Sequence, residues 1–157
     1  MSDVVYLTKE RVSQIEHELR QLKTKGRKEI AQKIADARSH GDLSENADYD
    51  AAKDEQGMLE MKISKLESML AKSQVIQADE FPNDKIYILS KVKIKNIANG
   101  NISDYMMVSP EEADFEQNKL SVTSPLGKSL MGKIVGDVAV LKVPIGTTQF
   151  EIIEISK

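Results

Sequence analysis

The sequence predicts an α+β protein: an antiparallel α-helical coiled-coil hairpin followed by a small antiparallel β-sheet domain that carries one short helix. Two observations support this prediction. Apolar side chains recur at helical spacing in two long runs before residue 75, and a short turn-forming segment separates the runs. After residue 81 the apolar side chains recur at alternate positions, which is typical of strands. We expect the hairpin to occupy residues 1–76 and the sheet domain to occupy residues 77–157.

The first helix is expected to begin at Lys9, because Thr8 suits the N-cap position. Apolar or small residues then follow in steps of 3, 4, 3, 4, 4, 4 and 3, so that one narrow stripe faces a partner helix. The stripe consists of Val12, Ile15, Leu19, Leu22, Gly26, Ile30, Ile34 and Ala37. The run of fours around Gly26 breaks the heptad, and we expect the supercoil to loosen or unwind there.

The second helix is expected to be more regular. Its apolar positions alternate strictly in steps of 3 and 4, which is the pattern of a heptad seam. The seam consists of Tyr49, Ala52, Gln56, Leu59, Ile63, Leu66 and Leu70. Met58, Met61 and Met69 flank the seam, and we expect them to fill gaps in the packing. Because the two runs have similar lengths and few residues between them, we expect the helices to be antiparallel neighbours.

The C-terminal region is expected to form a small antiparallel sheet. Apolar residues alternate in the segments 91–97, 102–108, 120–122, 138–143 and 149–155. Residues 99–101 and 144–146 have the composition of turns between neighbouring strands. One short helix interrupts the strands, with Ser124 as its N-cap, Pro125 at its first position and Gly132 after its end.

Composition excludes several classes of function. The chain has no cysteine, which excludes disulfides, thiolate metal sites and a cysteine nucleophile, and a reducing cytoplasm is the expected compartment. The first six residues do not resemble a secretory signal, and no apolar run approaches the ~20 residues that span a bilayer. We therefore expect no membrane partner. A Gly-rich phosphate loop, an HExxH motif and a GxSxG motif are all absent from the sequence.

Charge is distributed unevenly along the chain, although the net charge is only −3. Residues 9–38 carry nine basic and five acidic side chains, a net charge of +4. Residues 42–60 carry seven acidic side chains and one basic side chain, a net charge of −6. The total charge gives no support for general binding of nucleic acid. Charged runs are commonly solvated helix faces, but this acidic run lies where the chain reverses.

The turn between the two helices admits two interpretations. In the first, Gly41 ends the first helix and Asp42 caps the second, with Glu45 completing a capping box. In the second, Asp42 and Glu45 share Mg²⁺, which prefers carboxylate oxygens but which two carboxylates cannot hold tightly, so the metal would belong to another molecule. Capping does not account for the acidic residues that follow within the next turns of the helix. His17 and His40 are weaker ligand candidates.

Residues 41–49, GDLSENADY, closely resemble the signature of the bacterial Gre transcript cleavage factors. Residues 121–133, SVTSPLGKSLMGK, resemble the second signature of that family. The order of hairpin and small domain also matches, over essentially the whole chain. The resemblance implies an FKBP-like fold for the C-terminal domain. It also implies that this domain docks on bacterial RNA polymerase at the rim of the secondary channel, through a loop that contains Ser121, Ser124 and Pro125.

The resemblance further implies that the hairpin enters this channel and stimulates the polymerase to cleave backtracked nascent RNA, which releases a new 3′ end and rescues arrested complexes. Asp42 and Glu45 would be the catalytic residues and metal ligands, helping to hold the second Mg²⁺ and to orient the attacking water. Arg38 and Lys53 would form a basic patch that contacts the extruded RNA 3′ end. Lys53 stands where an arginine is common, so it would lack the bidentate phosphate contact of an arginine.

An accessory factor that is not itself an enzyme is also implied by the resemblance. It would bind no cofactor when isolated and would share Mg²⁺ with the RNA polymerase active site, and a free tip favours a monomer. Three alternatives remain open: a regulator or inhibitor that occupies the channel without stimulating cleavage, a coiled-coil adaptor that does not need the tip, and a prolyl isomerase. The last would need an aromatic-lined pocket, and the chain contains no tryptophan.

Overall fold

The structure is a computed structural model that describes residues 4–41, 46–77 and 82–156. The chain divides into two compact units. One unit spans Glu10–Lys72, and the other combines the residues up to Lys9 with those from Ser73 onward. Helices make up the first unit and strands dominate the second, which confirms the α+β class. The division differs from a single boundary after residue 76, because the residues before Glu10 belong to the same unit as the C-terminal residues.

The helical unit is a hairpin of two arms. The first arm comprises α1 (Lys9–Gln21), a π-helical turn (Leu22–Gly26) and α2 (Arg27–Arg38), and the second arm is α3 (Ala47–Ala71). The first helix begins at Lys9, as the sequence predicts. Every residue of the two predicted apolar stripes is buried or half-buried, so the prediction of a seam between the arms is confirmed.

The predicted irregularity near Gly26 takes the form of the π-helical turn. A strict heptad would place the apolar residue that follows Gly26 at position 29, whereas the chain has Ile30 as that residue. A π turn holds one residue more than an α turn, so it absorbs the additional residue and leaves both parts of the arm in phase. Ile30 and Ile34 therefore still reach Ala52, with which they form a buried cluster.

Gly26 also lies where the two arms approach each other. A Cβ atom on Gly26 would lie 3.3 Å from Leu59 Cδ1, which is tighter than an ordinary van der Waals contact. The missing side chain therefore lets Leu59 pack against the π turn at the edge of the buried cluster.

The methionines beside the seam differ in burial. Met69 is 3 % exposed and fills the packing, as expected. Met58 and Met61 are 70 % and 73 % exposed, so the expectation that they fill packing gaps is wrong for these two residues.

Ion pairs connect the basic first arm with the acidic second arm. Arg27 donates hydrogen bonds of 2.8 and 3.0 Å to the carboxylate of Glu60, and Lys33 donates one of 2.9 Å to Glu55. These bonds raise the pKa of Arg27 and of Lys33 and lower the pKa of Glu60. The Glu60 contribution to stability is therefore present above its unfolded pKa and is lost as the pH falls through the lower folded pKa. Because these side chains are about half exposed, the pairs add little stability and mainly favour one register of the arms.

Two short strands in the other unit escape prediction from the sequence. They are β1 (Val5–Leu7) and β2 (Ser73–Val75), and they pair in parallel. Ile76 N–H extends the pairing by donating to the Leu7 carbonyl at 2.9 Å. On β1, Tyr6 N–H donates to Ser109 Oγ at 2.9 Å. A three-residue strand is too short to show a period of two, so the sequence offers no signal for it.

Five further strands form one sheet within the described part of the chain. They are β3 (Lys91–Asn96), β4 (Ile102–Val108), β5 (Lys119–Ser121), β6 (Val138–Val143) and β7 (Gly146–Ser156). Each predicted strand is found within three residues of its expected ends. The strand order is β5-β4-β3-β7-β6.

The sheet is mixed rather than wholly antiparallel, which corrects the prediction. The pairs β4–β3, β3–β7 and β7–β6 are antiparallel, whereas β5 runs parallel to β4. The reason lies in the connection between them, which reverses direction twice. It turns first at a 3₁₀ turn, Pro110–Glu112, and again before Lys119, which forms an antiparallel bridge with Asp114.

The core of this unit is built from the inner face of the sheet and from α4 (Pro125–Leu130). Its buried members are Ile86, Val92, Ile94, Met107, Leu130, Ala139, Ile152 and Ile155. A register shift between Lys93 and Ile94 marks a β-bulge against β7. The bulge explains how Ile152 and Ile155, three residues apart, can both be buried on a strand whose side chains otherwise alternate.

The short helix α4 begins as predicted, with Ser124 as its N-cap and Pro125 at its first position. Ser124 Oγ accepts a 3.0 Å hydrogen bond from Gly127 N–H and donates one of 2.7 Å to the Ser121 carbonyl. Gly127 is needed at this point because a Cβ atom there would lie 2.0 Å from the Ser121 carbonyl oxygen. Gly132 follows the helix with φ +80°, which confirms its predicted place.

Deletion of Lys25 is expected to turn the first arm into one continuous α-helix with a strict heptad stripe, because it removes the residue that the π turn absorbs. Far-ultraviolet circular dichroism of this variant should show at least the helix content of the parent chain. Its midpoint of thermal unfolding should be at or above that of the parent chain. Deletion of His17 is the matched control. It leaves the π turn in place and rotates part of the stripe by about 100°, so it should lower the midpoint strongly. If both deletions lowered the thermal midpoint equally, the assignment of the surplus residue to the π turn would be wrong.

Gly127→Ala is expected to destabilise the sheet unit by about 1–3 kcal/mol, because the added methyl group must displace the backbone at Ser121. Urea unfolding of the full chain measures this loss. Gly57→Ala is the matched control, since a Cβ atom on Gly57 meets nothing within 4 Å in α3. That change should stabilise the helix by up to ~1 kcal/mol. A similar gain in stability for Gly127→Ala would contradict the prediction that the Ser121 backbone leaves no room for a side chain at position 127.

Candidate functional site

The first candidate site lies where the two arms of the hairpin meet. The first arm ends at Arg38, and the next residue, Ser39, caps it by donating from Oγ to the Asp36 carbonyl at 2.6 Å. Gly41 follows with φ +114°, a conformation that favours glycine. The chain thus leaves the helix by a turn that the sequence specifies at Gly41.

The second arm begins at a residue that sequence reasoning missed. Asn46 has extended backbone angles, and its Oδ1 accepts a 3.0 Å hydrogen bond from Tyr49 N–H, so Asn46 is the N-cap of α3. Its Nδ2 also donates a 2.5 Å hydrogen bond to the Ala37 carbonyl in the first arm. The prediction that Asp42 caps this helix is therefore wrong. Asn46 competes successfully because asparagine caps as well as aspartate and carries an additional donor.

Asp42 and Glu45, the predicted catalytic residues and metal ligands, lie outside the described residues. Both come before Asn46 in the chain, and it is the Asn46 side chain that accepts from Tyr49 N–H as the cap of α3. The interpretation of Asp42 and Glu45 as a shared metal site stays a prediction.

The predicted basic patch is contributed by both arms. Arg38 is exposed at the end of α2, and its guanidinium carbon lies 5.9 Å from the centre of the Tyr49 ring. Lys53 is exposed in α3 and donates a 2.9 Å hydrogen bond to Gln56 Oε1. The sequence assigned Tyr49 only to the seam and gave no indication of its contact with Arg38. Its ring contacts the buried cluster and also supports Arg38.

A histidine flanks the same turn. His40 Nδ1 lies 3.5 Å from Asp48 Oδ2, and both side chains are exposed. Within the described ranges, no group of three or more histidine, cysteine, aspartate or glutamate side chains is arranged to hold a metal ion.

The second candidate site is the loop before α4, in the other unit. Ser121 Oγ lies 2.9 Å from Thr123 Oγ1 and accepts a 3.1 Å hydrogen bond from Thr123 N–H. The hydroxyl of Ser124 is occupied by the cap described above. Both predicted docking serines therefore hold the shape of the loop, while Thr123 and Pro125 are exposed. Thr123 is a surface residue of this loop that the sequence analysis did not single out.

A groove of about 410 Å³ opens on the sheet of the same unit. Its lining combines lysines with acidic residues, and Tyr105 is the one aromatic residue among those that line it. The lining residues are Lys91, Val92, Lys93, Asp104, Tyr105, Met106, Gln117, Asn118, Lys119, Glu154 and Ser156. Prolyl isomerase chemistry would need an aromatic-lined pocket, and this groove does not supply one. Among the residues that the structure covers, no helix has the length and apolar character to cross a membrane.

Comparison with known proteins covers nearly all of the chain. The family model described as "Transcription elongation factor, N-terminal" matches residues 5–75, and "Transcription elongation factor, GreA/GreB, C-term" matches residues 81–157. The transcription elongation factor GreA of Amoebophilus asiaticus is 48 % identical over 156 residues, which covers 99 % of each chain. The GreA of Flavobacterium johnsoniae is 49 % identical over 157 residues, covering 100 % of this chain and 99 % of that protein.

A solved structure is also similar to this chain. GreA factor homolog 1 of Thermus thermophilus is 28 % identical, with 98 % of this chain and 99 % of that chain covered and a TM-score of 0.45. The family models and the full-length relatives confirm the resemblance over nearly the whole sequence. The chain therefore belongs to the GreA/GreB family of transcription elongation factors.

Proposed function

We propose that this protein binds bacterial RNA polymerase and stimulates the polymerase's own cleavage of backtracked nascent RNA, so that a new 3′ end is released and arrested complexes resume synthesis. It acts as an accessory factor and is not itself an enzyme. One observation carries the proposal: the acidic segment 41–49 joins the two arms of a helical hairpin in a chain of the GreA/GreB family.

The charges of the arms support this role. Along the arms, basic and acidic side chains pair with each other, as in Arg27–Glu60 and Lys33–Glu55. The acidic surplus of residues 42–60 is therefore partly neutralised along the arms, and the remaining acids are concentrated near the turn. A narrow hairpin with an acidic end suits a role in which the end must reach a cation inside another molecule.

The chemistry of the donors fits a shared Mg²⁺. Asp42 and Glu45 supply two carboxylates, whereas Mg²⁺ takes six oxygen ligands, so most of its ligands would come from the polymerase and from water. When bound there, the metal supplies a more acidic bound water and stabilises charge on the phosphate. Asp42 and Glu45 would contribute carboxylate oxygens to this Mg²⁺ and would orient the attacking water. Arg38 and Lys53 offer cations to the phosphates of the extruded RNA 3′ end.

The loop before α4 is the proposed docking surface on the polymerase. Ser121 and Ser124 hold its shape by internal hydrogen bonds, and the exposed residues Thr123 and Pro125 present the surface that would contact the partner. We further propose that the factor acts as a monomer, because the end of the hairpin must remain accessible.

Asp42→Asn and Glu45→Gln are each expected to reduce cleavage of backtracked complexes to the level of the polymerase alone, because each change removes a charge that the metal needs. Thermal stability should stay nearly unchanged, since Asn46 caps α3. The measurement is the rate of transcript cleavage at saturating factor, with binding followed by competition against the parent protein. Asp50→Asn is the matched control, an identical change on an exposed residue in the first turn of α3, and it should retain cleavage.

Survival of cleavage in both the Asp42 and the Glu45 variant would overturn the metal-sharing proposal. A parent protein that binds the polymerase but does not stimulate cleavage would favour the alternative role, occupation of the secondary channel as a regulator or inhibitor.

The double variant Arg38→Glu, Lys53→Glu is expected to lower the cleavage response by at least about tenfold, because each reversal replaces an attraction of about 1 kcal/mol to a phosphate at 4 Å in water by a repulsion of about the same size. Binding to polymerase without a backtracked transcript should be unchanged. Arg38→Lys, Lys53→Arg keeps both charges and serves as the control. An unchanged response of backtracked complexes to the glutamate variant would exclude the basic patch from RNA binding.

A further inference from the structure

We propose that Asn46 is a positioning residue for the stimulated cleavage. Its side chain links the two arms at the residue that directly follows Glu45, and so anchors the chain next to the two acidic residues. Two hydrogen bonds make up this link, the Asn46 clasp. Asn46 Nδ2 donates to the Ala37 carbonyl, and Asn46 Oδ1 accepts from Tyr49 N–H. This inference rests on the proposed function, since it concerns the same acidic segment.

The chemistry of the two partners determines the orientation of the Asn46 amide. Tyr49 N–H is a donor, so the atom facing it must be Oδ1, and the Ala37 carbonyl is an acceptor, so the atom facing it must be Nδ2. Aspartate or serine could replace the first bond as a cap, but neither side chain can replace the second with a suitable donor at the same reach. The donor function is thus separable from the cap function by substitution.

The Ala37 carbonyl is the point at which the first arm is held. It lies in the last turn of α2, where carbonyl groups lack partners within the helix. It accepts from His40 N–H at 3.1 Å and from Asn46 Nδ2 at 2.5 Å. One oxygen therefore ties together the end of the first arm, the start of the turn and the start of the second arm.

Packing makes the clasp more rigid than the ion pairs along the arms. Ala37 is 2 % exposed, and Tyr49 packs against the buried cluster of Ile30, Ile34 and Ala52. A hydrogen bond that is partly shielded from water is stronger than an exposed one. The pairs Arg27–Glu60 and Lys33–Glu55 are about half exposed and resist separation of the arms only weakly.

The position of the clasp in the chain gives it a functional consequence. Asn46 directly follows Glu45 and lies four residues after Asp42, so the clasp holds the chain at a point next to both acidic residues. Catalytic groups that are held near their working geometry lose less conformational freedom when they engage the reacting atoms. Loss of the Ala37 bond should therefore lower the rate of cleavage at saturating factor more than it lowers binding of the factor to polymerase.

The test compares Asn46→Asp and Asn46→Ser with the parent chain and with Ile34→Val, a control that weakens the same cluster without touching the clasp. Both Asn46 variants keep a capping oxygen and lose the donor. In backtracked complexes with Mg²⁺, we expect both variants to lose at least about tenfold in maximal cleavage rate. Their half-saturating factor concentration should stay within about twofold of the parent value. Ile34→Val should keep the parent rate.

Amide hydrogen exchange of the isolated full-length chain provides a readout that does not depend on cleavage. Exchange of residues 38–41 should become faster in both Asn46 variants than in Ile34→Val. Parent-like cleavage in both variants would overturn the proposal, and so would a loss confined to Asn46→Asp, because that result would assign the effect to added charge. If the parent chain stimulates no cleavage, the proposed function fails, and parent-like exchange in the variants would then overturn the clasp as well.

Discussion

The apolar seam between the two arms is the interaction on which the rest of the hairpin depends. Neither arm could form a stable helix alone in water, since isolated helices are marginal without tertiary packing. The buried cluster of Ile30, Ile34 and Ala52 brings the end of α2 beside the start of α3. That proximity allows Asn46 to reach Ala37, and it places Arg38 over Tyr49. Every feature of the candidate site at the turn therefore follows from burial of hydrophobic side chains farther along the arms.

Charged side chains beside the apolar seam help to specify how the two arms align. A basic first arm and an acidic second arm favour each other, and the carboxylate of Glu60 meets the guanidinium of Arg27 through two hydrogen bonds. Such exposed pairs contribute little stability, but a shift of one arm along the other would separate the paired side chains. Residues 39–50 carry four acidic side chains and neither lysine nor arginine, which suits an end that must reach a cation.

Sequence patterns predicted the parts of this fold that repeat and failed at single, local choices. The stripe on the first arm located the irregularity at Gly26, because one surplus residue is visible against a heptad. The N-cap was missed because Asp42, Ser44 and Asn46 all suit that position, and only contact with the other arm decides among them. The parallel pairing of β5 depends on two reversals in a loop, which carry no periodic signal. Tyr49 was assigned to the seam, and its second contact with Arg38 needed the geometry.

The π turn has a consequence for how the length of such hairpins can vary. The π turn accommodates a surplus residue while the helix axis keeps nearly the same direction. The two arms can therefore end at the same level although they contain different numbers of residues. An insertion or deletion elsewhere in an arm would rotate every later side chain out of the seam. At Leu22–Gly26 the chain can lose a residue while the side chains farther along the arm still face the seam.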